Sequence, residues 1–123
     1  MTDAKTGTKT GRKTEREELI FYLKISDAQT RREIGRLVDI TPKGLKLVSE
    51  LKFFANQKVY LVVHFISPIR NQTYLNIQGE VRWVNPSQTK GYFDTGVMFI
   101  NVTADQSDLI KALIERLSFS ADY

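Results

Sequence analysis

The sequence predicts a mainly β fold: a six-stranded antiparallel β-barrel with a C-terminal α-helix and a flexible N-terminal arm. Three observations predict it. Short runs rich in aromatic and β-branched residues recur from Leu19 to Ile100 at hairpin spacing. The hydrophobic period changes from strand-like to helical only after residue 103. Residues 1 to 16 hold almost no large apolar side chains and are rich in Thr, Lys and Gly. Such a segment buries too little surface to offset its chain entropy, so residues 1–16 are expected to form a flexible basic arm, with the folded domain over 17–120.

The elements follow in order. LIFYLKIS (19–26) alternates, DAQT turns the chain, and EIGRLVDI (33–40) returns it as a hairpin with a four-residue loop. LKLVS (45–49), KVYLVVHFI (58–66), YLNIQGEVRWV (74–84) and YFDTGVMFI (92–100) complete the six strands. SPIRNQ and NPSQTKG have loop composition, and LKFFANQ (51–57) fits either a short helix or a loop. Gly79, inside a strand-like run, predicts a bulge or a sharp bend. Leu109, Ile110, Leu113, Ile114 and Leu117 share one helical face, which predicts a helix over 104–118. Thr103 and Gln106 have the spacing of a capping box at its start. Its apolar stripe must bury against the barrel or its open end.

Composition narrows the function. The chain has 123 residues, enough for one core, and no cysteine, which excludes disulfides, thiolate metal sites and a cysteine nucleophile. No stretch is apolar enough to span a bilayer and no signal-peptide pattern opens the chain, so a cytoplasmic protein without membrane insertion is expected. The formal charge of +4 is compatible with anionic ligands and equally with plain solubility. GTKTGRKTEREEL (7–19) approaches a phosphate-binding loop, but its glycines are misspaced and no buried strand precedes it, which excludes a P-loop. His64 is the only histidine and lies in the apolar run VVHFI, where a packed or edge role is expected. No nucleophile elbow, H-E-x-x-H or paired-carboxylate motif is present, so no enzyme activity, metal or cofactor is expected.

DITPKG (39–44) has the composition of a β-turn, with Pro42 pre-setting φ. Arg12 and Arg16 form R-x-x-x-R ahead of the first strand, and Arg16 lies 23 positions before Asp39. A hairpin fills that interval, so topology returns the end of the second strand to the residues preceding the first. A second R-x-x-x-R, Arg32 and Arg36, is read as a solvated strand face.

R-x-x-x-R before the first strand and D-x-T-x-x-G after the second resemble the motif of the PilZ domain family, receptors for the bacterial second messenger cyclic di-GMP. The resemblance covers about residues 12 to 118 and extends to EVRWVN (80–85) and DTGVMF (94–99), with Thr41 where Ser is usual. It implies a six-stranded barrel with a C-terminal helix and a cyclic di-GMP site of Arg12, Arg16, Asp39, Thr41 and Gly44. Those residue types suit the ligand. A guanidinium matches guanine O6 and N7 or a phosphodiester, and Asp39 can accept from guanine N1–H and N2–H. Thr41 adds a hydroxyl, and Gly44 leaves room for close approach. The implied role is a receptor or adaptor that orders its arm on binding and alters a surface for an unidentified effector protein, in motility or biofilm control. Two alternatives stand beside it. One is a PilZ-like interaction module that does not bind the nucleotide. The other is a basic barrel for single-stranded nucleic acid, using Tyr22, Phe54, Tyr60, Tyr74, Trp83 and Tyr92, although most of these are expected to face the core or cover the barrel.

Overall fold

Alternation of apolar and polar residues along six strands leaves each with one face that water disfavours, and the chain solves this by rolling the sheet onto itself. The structure, a computed structural model, describes residues 23–120. The strands are β1 (Lys24–Asp27), β2 (Glu33–Thr41), β3 (Gly44–Ser49), β4 (Lys58–Ile69), β5 (Gln72–Pro86) and β6 (Phe93–Ile100), followed by helix α1 (Ala104–Ser120). Around the barrel they run β1-β2-β3-β6-β5-β4, every pair antiparallel, and β4 closes on β1 through Ile25↔Val63. Closure pairs the sheet's edges, which would otherwise invite association. The predicted first strand begins at Leu19; residues 19–22, like Arg12, Arg16 and Tyr22, lie outside the described residues.

The inward side chains form one hydrocarbon core, including Ile25, Leu37, Leu47, Leu61, Val63, Leu75 and Val81. Helix α1 packs its stripe of Leu109, Ile110 and Leu113 onto this core, with Ile114 and Leu117 partly buried at the margin. The capping box is made in both directions: Gln106 N–H donates to Thr103 Oγ1 (3.1 Å), and Thr103 N–H donates to Gln106 Oε1 (2.9 Å). Gln106 Nε2 also donates to the Asn76 carbonyl (2.8 Å), and Arg116 reaches the Ser67 carbonyl (2.9 Å), so two polar contacts tie the helix to β5 and β4.

The connections are tighter than loop composition implies. In SPIRNQ only Arg70 and Asn71 lie outside the strands, with φ of 53° and 65°, the pair of positive values that a type I′ hairpin requires, and the ladder behind them is broken between His64 and Ile69. The β1–β2 turn takes residues 28–32, and Asp27 Oδ1 accepts from Gln29 N–H (2.7 Å). LKFFANQ is irregular, not helical: Phe53 inserts among Leu47, Val59, Leu61 and Val81 while Phe54 is 72% exposed. Gly79 is not a bulge. Its pairing with Val59 and Phe99 is regular, and a side chain there would strike Val97 Cγ1 inside the barrel.

Register breaks occur elsewhere. On β2, Leu37 pairs with Leu47 and Asp39 with Lys46, leaving Val38 as an inserted residue. On β5, Val81 pairs with Val97 and Trp83 with Gly96, leaving Arg82 inserted. Each bulge shifts the strand's phase by one, so Asp39 and Thr41 face outward past the first, and Arg82 and Trp83 both face outward at the second.

One core polar group is unsatisfied. Thr95 is 0% exposed and its Oγ1 has no hydrogen-bond partner among the described residues. A buried hydroxyl without a partner is destabilising by about 1–3 kcal/mol, and valine has nearly the same shape. Thr95→Val is therefore expected to raise unfolding stability by about 1 kcal/mol in denaturant titration; an unchanged or lower midpoint would show that the hydroxyl is satisfied in solution.

Candidate ligand-binding groove

The β2–β3 turn is built by its own residues. Thr41 pairs with Gly44 across Pro42 and Lys43. The Thr41 hydroxyl accepts from Lys43 N–H (3.2 Å) and Gly44 N–H (3.2 Å) and donates to the Gly44 carbonyl (3.3 Å). A Cβ at Gly44 would collide with the Val97 carbonyl oxygen, so the space left by this glycine is filled by β6. Asp39 Oδ1 accepts from Ile40 N–H (2.9 Å), while Oδ2 carries no hydrogen bond among the described residues. At the other margin Arg36 pairs with Glu33 at 2.8 Å, as a solvated strand face should, whereas Arg32 belongs to the preceding turn.

The register places Asp39, Lys46, Gly96 and Trp83 in one row across β2, β3, β6 and β5. With strands about 4.8 Å apart, that row spans roughly 14 Å. Trp83, 40% exposed, lays its indole over Gly96, where a Cβ would strike the ring at Cε2 and Nε1. The row crosses an open groove of about 410 Å³ whose lining includes Asp39, Thr41, Gly44, Lys46, Arg82 and Trp83. Met98 gives its lining an exposed apolar side chain, while Leu45 and Val97, also along it, keep their side chains in the core.

Asp39, Thr41 and Gly44 are thus brought together, and Arg12 and Arg16 lie outside the described residues. The chain enters beside this groove: Leu37 N–H donates to the Leu23 carbonyl (3.0 Å), two positions along β2 from Asp39. Lys46, Arg82 and Trp83 join them in the groove without being among the site residues that the sequence predicts. The signal for the last two is the odd spacing of inward Val81 and half-buried Val84, which marks a phase break between them.

The exposed aromatics differ from expectation. Phe54, Tyr60, Tyr74, Trp83 and Tyr92 are all more than one-third exposed, because strand alternation gives the inner face to smaller aliphatic residues. They do not share one path. Tyr60 and Tyr74 flank a separate groove of about 580 Å³ that also includes Ser26, His64, Asn76 and Gln106, Trp83 lies in the groove described above, and Tyr92 in a third. In the groove of Tyr60 and Tyr74, Ser26 Oγ and His64 Nε2 are 3.0 Å apart. Burial, and then Lys24, hold the imidazole below its ordinary pKa of 6.5, opposed by Glu33. Among the described residues no cluster of three or more metal-ligating side chains occurs, and no helix is long and apolar enough to cross a membrane.

The chain matches the PilZ domain over residues 11–116. It belongs to the PilZ domain family. No curated protein matches the sequence at a significant level. Among solved structures, this PilZ domain resembles "PilZ domain with c-di-GMP of YcgR" from Escherichia coli, with a TM-score of 0.61 at 10% identity over 81% of this chain and 85% of that one. It also resembles the Bacillus subtilis inhibitor of motility MotI/DgrA (TM-score 0.60, 14% identity, 78% of this chain) and K. pneumonia MrkH in its apo state (TM-score 0.62, 14% identity, 80% of this chain). It spans 47% of the length of each of those two chains. At such identities the likeness is one of fold.

Two outcomes are expected. Gly96→Ala should displace the indole of Trp83, the only tryptophan, shifting its emission and lowering stability by about 1–3 kcal/mol; an unchanged spectrum would place the ring elsewhere. Because the fold favours neutral His64, its contribution is complete above pH 6.5 and is lost as pH falls through the lowered folded pKa. Nuclear magnetic resonance should find the imidazole midpoint below 6.5, and stability should decline with acid less steeply in His64→Asn.

Proposed function

We propose that this PilZ domain is a receptor for cyclic di-GMP and that the groove along the Asp39–Trp83 row is its site. The observation that carries the proposal is that row: a carboxylate with an unused oxygen and an exposed indole stand at its two ends, with Lys46 and Gly96 between them. A guanine seated there can give its N1–H and N2–H to Asp39 and lay its face on Trp83, and an indole is a strong stacking surface for a purine. The family motif supplies the rest. Arg12 and Arg16 join from the N-terminal arm, bonding guanine O6 and N7 or a phosphodiester with charge-assisted hydrogen bonds. The arrival of the chain beside Leu37 supports that approach. The fold shared with the PilZ domain of YcgR, a structure with c-di-GMP, supports the ligand class.

Thr41 and Gly44 also serve the site through the turn itself, beside the contacts that their motif suggests. Both hold the turn that carries Asp39, through the hydroxyl and through the fit against Val97. Binding then draws the arm onto the barrel wall and remodels the surface offered to an effector protein, without catalysis or cofactor. A second function, a PilZ interaction module without nucleotide, is favoured by one observation, the engagement of the Thr41 hydroxyl inside the turn.

Calorimetric titration with cyclic di-GMP, with cyclic di-AMP as control, separates the two. Saturable binding of the former is expected, with Arg16→Ala and Asp39→Ala each losing about 1.5–3 kcal/mol, ten- to a hundredfold in affinity. Full-strength binding by Asp39→Ala would reject the site, and a wild type that binds neither nucleotide would leave the interaction module.

A further inference from the structure

We infer that Lys46 and Arg82 form an anion clamp on the barrel wall, two cations beside the Trp83–Gly96 floor that take the ionised phosphodiesters of the ligand separately from the N-terminal arginines. The inference rests on the cyclic di-GMP reading of this groove and assigns the barrel residues that hold its anionic part.

The β5 bulge is the first support. In an unbroken strand one of Arg82 and Trp83 would point into the core, since successive side chains alternate. The inserted residue lets both face outward near Gly96, so the groove receives a guanidinium as well as the indole from consecutive positions. Bulges that re-aim side chains in this way concentrate at binding sites.

Placement of Lys46 is the second. It occupies the row between Asp39 and Gly96, and Gly96 offers no side chain to cover it. Lys46 is half-buried and lines both this groove and the neighbouring one that holds Asp94, so a stem lying along the wall can carry its ammonium to a molecule in the groove. The backbones of Lys46 and Trp83 are two strand spacings apart, about 10 Å, so the cation of Lys46 and that of Arg82 approach a bound molecule from different sides. A cyclic dinucleotide carries one charge on each of two phosphodiesters and no terminal phosphate, which suits two separated cations.

The third support is electrostatic. The groove lining carries Lys43, Lys46 and Arg82 against one carboxylate, Asp39. Arg82 Nη1 lies 3.9 Å from Glu80 Oε2, at the outer limit of an ion pair, and its side chain is 55% exposed. Such a pair is weak, so little opposes transfer of the guanidinium to a phosphodiester. The apolar surface of Met98 and the Trp83 indole strengthens the attraction once water leaves.

The test is cyclic di-GMP titration of the full chain at several salt concentrations, using wild type, Lys46→Gln, Arg82→Gln and the double variant. Lys90→Gln, on the β5–β6 connection, controls for net charge. Each clamp variant is expected to keep the wild-type melting temperature, to lose about tenfold in affinity, and to show a shallower dependence of affinity on salt. Lys90→Gln is expected to match wild type. Clamp variants that bind like wild type while Asp39→Ala is weakened would overturn the clamp and leave the site standing. Weaker binding with unchanged salt dependence would also overturn it, because the residues would then act by shaping the wall. A wild type that binds no cyclic di-GMP would overturn the clamp and the receptor function together.

Discussion

A strand can offer a ligand only the side chains that its core does not claim, and closing a sheet into a small barrel gives the whole inner face to the core. Everything functional in this protein must be written on the outside. Beside the groove two inserted residues, Val38 and Arg82, shift the division between inside and outside along β2 and β5, as Ile34 does at the start of β2. Upstream of each the strand has one phase, and downstream the other. Leu37 and Ile40 both reach the core although three positions separate them, and the outward residues between and beyond them include Asp39 and Thr41. The same break on β5 gives the outer surface two consecutive side chains, Arg82 and Trp83.

The two strands between these bulged ones, β3 and β6, are shaped by close contact. Gly96 is covered by the Trp83 ring and Gly44 abuts the Val97 carbonyl, so the wall has no side chains of its own in two places. That is how the apolar indole comes to lie flush with a wall whose edges carry charge. The D-x-T-x-x-G turn acts on the site at one remove. Its threonine and glycine satisfy backbone groups and admit β6, and the aspartate just ahead of them keeps one carboxylate oxygen without a hydrogen bond among the described residues. The bonds of the turn and the packing of the barrel therefore use the same short segment, and a change to Thr41 or Gly44 bears on the position of Asp39.

The remaining exterior is distributed, not continuous. The Ser26–His64 pair with Tyr60 and Tyr74 occupies a different part of the wall from Trp83, although β5 passes through both grooves. Long β5 is the physical connection between them. It contributes Tyr74, Asn76 and Gln78 to one groove and Arg82 and Trp83 to the other.

The primary structure alone determined the strand number, the terminal helix with its cap, and the turn that carries Asp39, because each depends on periodicity or on a side chain bonding to its own neighbourhood. Thr103 and Gln106 meet within one helical turn, and Thr41 meets Gly44 within one β-turn, so their partners are fixed by spacing. The tertiary structure decided the rest. Whether LKFFANQ coils, whether Gly79 bends a strand, and which way Trp83 faces depend on residues far along the chain: Phe53 on the core it enters, Gly79 on Val97, Trp83 on Gly96. A one-residue insertion is nearly silent in sequence and inverts the facing of everything after it, so Arg82 and Trp83 came to share a groove with Asp39 only through the pairing of β3 with β6 and of β6 with β5.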